Sequence, residues 1–124
     1  MRVAITGDVP DTPELTALEQ AVFTIALAAD ELAVLRAQAA AAQVVSRTGS
    51  GVGFVTKLRI PVELTAAPQA SVPVVYAQHP ALPEPAEFML QIKDGRLHTI
   101  EAFCCQGMWP GDESGFEFSG RAPH

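Results

Sequence analysis

FMLQIKDGRLHTIEAFCC, residues 88–105, is the stretch that decides the fold. Two apolar-rich runs flank Asp94-Gly95, a dipeptide suited to a two-residue hairpin turn with positive φ at both central positions. Counting outward from that turn pairs Ile92 with Leu97, Leu90 with Thr99 and Phe88 with Glu101. Phe88, Leu90, Ile92 and Leu97 then share one face, and Met89, Gln91 and Lys93 the other, as a period of two requires. Beyond Leu97 the pattern conflicts with itself. Regular alternation sends Thr99 and Glu101 inward and Ile100 outward. An ionised carboxylate in the core costs several kcal/mol unless paired, comparable with the stability of a whole domain. Either a bulge near His98–Thr99 swaps the faces and returns Glu101 to water, or Glu101 stands in a cleft at the sheet's end with a partner such as Arg59, His98 or backbone donors. The rarity of buried unpaired acids favours the bulge or edge placement.

Upstream, Phe54, Thr56, Leu58, Ile60, Val62 and Leu64 alternate with Val55, Lys57, Arg59, Pro61 and Glu63, which predicts one long half-buried strand. Pro61 has no donor, so the second half belongs to an edge or a bulge. With a short strand over 72–78 and the two arms of the hairpin, this gives a mostly antiparallel four-stranded meander. Phe116 and Phe118 alternate with Glu117 as a short last strand would.

The N-terminal part is helical in character. Asp11-Thr12-Pro13-Glu14 offers cap, first-turn proline and a favourable acid, and Leu15, Leu18, Val22 and Ile25 recur at helical spacing. Asp30 suits the cap of a second helix, with one kinked helix as the competing reading. AQAAAAQ, residues 37–43, has high helix propensity and small side chains. Two helices, about 12–28 and 30–45, are therefore expected on one face of the meander. The opening MRVAIT reads as a strand or a loose arm, and Gly49–Gly53 as a flexible turn between helix and strand. The fold class is α+β, cystatin-like in outline, with residues 1–124 as a single domain and one sheet face left wetter.

The chain has 124 residues, a net charge of −6 and only 18% charged residues. Its basic residues are scattered singly, so it lacks the footprint needed for nucleic acid or an anionic membrane surface. No apolar stretch is long enough to span a bilayer, and the start carries no apolar signal core, so a cytoplasmic location is expected. A lightly charged surface points to a protein partner or an oligomer, a homodimer included.

Motifs of chemistry are sparse. Cys104 and Cys105 are adjacent, project to opposite faces of a strand and read as two separate thiols. With three scattered histidines they offer no metal-ligand spacing. Gly49–Gly53 lacks the Lys-Ser/Thr ending of a phosphate loop and precedes no helix. No catalytic, metal or cofactor-binding residue is assigned, and no cofactor is expected. The candidate site is Glu101, with His98 and Arg59 as partners. Trp109, beside Phe116 and Phe118, is either part of an aromatic binding surface or a clamp for the C-terminal tail.

RTGSGVGFVTKLRIP, FMLQIKDGRLHTIEAF and MWP together resemble a group of small bacterial proteins with a helical N-terminus, a "tGvGF" strand and an "F-L-v-dGrL--lE" hairpin ending near Trp-Pro. The likeness covers roughly residues 30–112 and rests chiefly on Gly53, Phe54, Asp94, Gly95, Glu101 and Trp109, with Gly51, Leu97 and Pro110. The group has no assigned activity, so the resemblance implies a fold and transfers no catalytic residue. Cys104-Cys105 falls where the group resembles Thr-Tyr, so the pair is not a shared site.

Three functions compete. The first is a non-enzymatic adaptor or immunity-type protein that binds a partner through the open sheet face or an edge. The second is a small-ligand binder or enzyme with a helix–sheet pocket using Glu101 and His98. The third is a self-associating module joined through strand edges or the Ala-rich helix. The lack of a nucleophile–base or metal constellation favours the first and third.

Overall fold

The computed structural model describes residues 14–67 and 72–121. The opening MRVAIT and the last three residues lie outside these. Helix α1 (Ala17–Ala26) starts from a capping box. Glu19 N donates to Thr16 Oγ1 at 3.1 Å, and Thr16 N donates to Glu19 Oε1 at 2.9 Å. Two orphan donors are thus satisfied at once, and the helix begins at Ala17; residues 11–13 of the expected start lie outside the described residues. At its other end Arg36 Nη1 donates to the carbonyls of Leu27 (2.6 Å) and Ala29 (2.7 Å), placing a cation where the helix dipole is negative. That clasp and the short 3-10 turn Asp30–Leu32 separate α1 from α2 (Ala33–Ala41), so there are two helices and not one kinked helix.

The second helix stops at Ala41, short of the expected residue 45, because the chain turns into a strand. Strand β1 (Gln43–Gly49) carries β-branched Val44, Val45 and Thr48, and Val44 is buried against the sheet. The glycine turn at 50–52 therefore joins two strands rather than a helix and a strand. Strand β2 (Gly53–Arg59) also ends early. The chain turns over Pro61, whose carbonyl accepts from Leu64 N at 3.1 Å, and does not extend to residue 64. Strands β3 (Val75–Gln78), β4 (Ala86–Lys93), β5 (Arg96–Phe103) and β6 (Glu117–Arg121) follow.

The sheet has six strands rather than four, in the order β1-β2-β5-β4-β3-β6, and every pairing is antiparallel. It is a meander only over β3-β4-β5. After β2 the chain reaches the hairpin turn, where Ala67 N donates to Gly95 O at 2.7 Å, and the next strand, β3, lies beyond β4, so β2 pairs with β5. This non-sequential pairing has no local signature in the sequence.

Both helices pack on one face. Phe88, Ile100, Val22 and Leu27 are fully buried between the layers, each worth about 2 kcal/mol of burial. Phe88 sits at the centre of an aromatic cluster, with ring centroids 5.9 Å from Trp109, 5.7 Å from Phe116 and 5.6 Å from Phe118. At Gly53, β2 approaches β5 so closely that a Cβ would lie 1.8 Å from the Ala102 carbonyl oxygen, which excludes every other residue type.

Candidate functional site

The hairpin turn has the expected geometry, with Asp94 at φ 54° and Gly95 at φ 77°. Lys93 pairs with Arg96 and Ile92 with Leu97, but Gln91 pairs with Thr99. His98 is the extra residue of a bulge. Past it, Leu90 faces Ile100 and Met89 faces Glu101. Ile100 is fully buried on the helix side, and Glu101 turns to the uncovered side. There its Oε2 accepts from Gln91 Nε2 at 2.8 Å. The bulge resolves the conflict in the sequence, and Glu101 is not a core acid.

The four candidate residues do not converge. Glu101 lies on the uncovered face and His98 at the bulge. Arg59 ends β2, four residues from Val55, the residue opposite Glu101; at about 3.3 Å per residue that is about 13 Å along the strand. Arg59 instead lines an edge cleft of about 410 Å³ with Glu14, Leu15 and Gln43. Trp109 is on the other side of the sheet. Its ring meets Phe54 edge-on at 5.6 Å, its Nε1 donates to Glu113 at 2.9 Å and its backbone N donates to Gly51 O at 2.7 Å. It holds the C-terminal segment to the sheet.

A different acid is buried. Glu19, at 0% exposure, points from α1 onto the sheet. Arg47 Nη2 and Nε donate to its carboxylate at 2.5 and 3.0 Å, and Thr56 Oγ1 also donates to it. Burial is the largest single effect on Glu19 and pushes its pKa up. The hydrogen bonds from Arg47, Thr56 and Thr16, with the Arg47 charge, together outweigh it and hold the carboxyl below its ordinary 4.5. The sequence carries a sign of this in Thr16-Ala17-Leu18-Glu19, a capping box, but that motif does not reveal that Arg47 comes from a strand 28 residues away. The trio locks helix to sheet and presents no reactive group to solvent.

The two cysteines are both free, Cys104 buried and Cys105 exposed. Local desolvation and then the carboxylates of Glu87 and Glu84 raise the Cys105 thiol, which makes it a poor nucleophile. Among the described residues, no group of three His, Cys, Asp or Glu side chains is placed to hold a metal ion, and no helix is long and apolar enough to cross a membrane.

Among the described residues no helix packs on the remaining face of the sheet, the uncovered face. Its registers align three rows across the strands: Lys57–Thr99–Gln91, Val55–Glu101–Met89 and Gly53–Phe103–Glu87–Tyr76. Val55 is 39% exposed, while Met89, Phe103 and Tyr76 are half-buried. Thr99 Oγ1 in the first row is buried without a hydrogen-bond partner among the described residues. Basic side chains stand at one end of this face and acidic ones toward the other.

No protein-family model, no curated protein and no solved structure matches the chain. The cystatin-like outline thus finds no solved counterpart.

Proposed function

We propose that the protein is a non-enzymatic interaction module of the cytoplasm that binds a protein partner through the uncovered face of its sheet. One observation carries this reading. Both helices pack on one face, and the opposite face combines apolar Val55, Met89 and Phe103 with the charges of Lys57, Glu101 and Glu87. A mixed surface of apolar centre and charged surround is what a protein–protein contact uses. The unpaired thiols of Cys104 and Cys105 fit a reducing compartment.

The small-ligand alternative is not favoured by any comparable observation. Glu101 is hydrogen-bonded on an open face, and the clefts around the helices and the proline loop are lined by other residues.

A photo-crosslinking amino acid placed at Met89 in the full chain tests the reading in cells. Covalent adducts to protein from that position, and none from exposed Gln20 on α1, are the expected result. Adducts from Gln20 alone would move the interface to the helices and overturn the reading.

A further inference from the structure

We infer that the partner of the uncovered face is a second copy of this chain, docked face to face about a two-fold axis with Lys57 of each copy against Glu101 of the other. This rests on the reading that the uncovered face is the binding surface.

The charge map is the argument. The chain carries a net charge of −6, yet this face carries both signs, segregated along the strands: Lys57, Arg59, Lys93 and Arg96 toward one end, and Glu101, Glu87 and Glu117 toward the other. A uniformly basic or uniformly acidic partner gains little from such a surface. A partner with the same segregation gains at both signs, and an isologous contact requires a patch complementary to itself.

The registers say where the axis can lie. Lys57 faces Thr99 across β2 and β5, and Glu101 faces Val55, so Lys57 and Glu101 are diagonal neighbours. Such neighbours are about 7–8 Å apart. A two-fold axis lying between the facing sheets, midway along that diagonal, exchanges the two positions. Each lysine then meets the other copy's glutamate, Val55 meets its own counterpart, and Met89 falls over the basic end of β2. By contrast, an axis that paired Lys57 with Glu87 would set Glu101 against itself, and repulsion excludes it. Lys57 is available for this contact: among the described residues the ion pair formed is Arg47–Glu19, and Glu101 is held by neutral Gln91.

Size sets the strength. Four strands about 4.8 Å apart, over about seven residues, give a flat footprint of about 400 Å² on each copy, about half of what each partner buries in a standard specific interface. The dimer is therefore weak, with Kd in the micromolar range or above, and salt-sensitive because its ion pairs are at the rim of a small patch.

Sedimentation equilibrium of the full chain, alone and in mixtures, tests the inference. Lys57→Glu and Glu101→Lys are each expected to weaken association about tenfold or more. A one-to-one mixture of the two variants is expected to restore it, because both cross-contacts then pair opposite charges. Both positions face solvent, and unchanged circular dichroism verifies folding. Parent-like association of both variants, or a parent that stays monomeric at about 1 mM in low salt, overturns the inference. The crosslinker at Met89 separates this failure from that of the wider reading. Adducts of twice the chain mass support the second copy. Adducts only with a different protein overturn the second copy and leave the binding face standing. No adduct of any kind overturns both.

Discussion

Leu97 N donates to Gln38 Oε1 at 3.0 Å, one residue before the bulge at His98. Gln38 Nε2 donates in turn to the carbonyls of Thr65 (2.9 Å) and Gly95 (3.0 Å). One fully buried amide on α2 thus takes up an amide and two carbonyls at the hairpin turn and the crossing loop, where strand pairing is interrupted.

Gln38→Leu removes all three bonds and leaves the Leu97 amide buried and unpaired. A loss of about 2–4 kcal/mol is expected in chemical denaturation. Gln38→Glu keeps the acceptor but sets an oxygen against two carbonyls, so it is expected to be destabilised at neutral pH and to recover partly on acidification, when the protonated acid regains a donor. A pH-independent loss would contradict the role assigned to the amide.

Glu19 makes stability depend on pH in a stated direction. Its folded-state pKa lies below the ordinary 4.5, so the charged form is favoured by folding. Its contribution is complete above that value and is lost as pH falls from there toward the lowered one. Glu19→Gln should flatten that acid limb of the stability profile and cost about 2–4 kcal/mol at neutral pH, by leaving Arg47 without its counter-charge. The double variant Glu19→Leu with Arg47→Met is expected to be less destabilised than Glu19→Leu alone, measured by urea midpoints across pH.

Two glycines separate steric from conformational demand. A Cβ at Gly53 would lie 1.8 Å from backbone at Ala102, whereas Gly51, at φ 83°, has nothing within 4 Å. Gly51→Ala should cost about 1–2 kcal/mol, the usual cost of an L-residue in the left-handed region. Gly53→Ala must push two paired strands apart and is expected to cost more than about 3 kcal/mol or to prevent folding. Thermal midpoints rank them.

The bulge yields a deletion test. Removing His98 leaves every other residue of β5 on its present face, because His98 is the unpaired one. The variant is expected to fold with a loss below about 2 kcal/mol. Removing Glu101 instead turns Ala102 outward and drives Phe103 into the helix layer, and should abolish cooperative unfolding. Amide exchange across β5 distinguishes the two.

The hairpin was legible because Asp94-Gly95 needs positive φ and the flanking runs alternate, so local stereochemistry sufficed. Even the bulge could be framed as one of two exits, since Glu101 and Ile100 cannot both keep a regular register without an energetic penalty. The helical region was legible roughly in place, but whether it held two helices or one kinked helix, and where the helices end, was not. Thr16 caps α1 through a reciprocal bond with Glu19, while the cap signal at Asp11-Thr12-Pro13 lies outside the described residues, and β1 was hidden because AQAAAAQ favours helix up to the residue where Val44 finds the sheet. The site residues fared less well. Glu101, His98, Arg59 and Trp109 were grouped by chemistry, while the strands distribute them over two faces and an edge.

The sequence by itself determined what depends on near neighbours: the α+β class, the turn at Asp94-Gly95, the alternation of β2 and the helical propensity of the first third. Only the tertiary structure decided the six-strand order, the burial of Glu19 under Arg47 and Thr56, and which sheet face stays open. Each of these joins residues far apart along the chain. Which long-range pairing wins is set by the sum of burial and hydrogen bonding over the whole molecule, a quantity no single stretch of sequence contains.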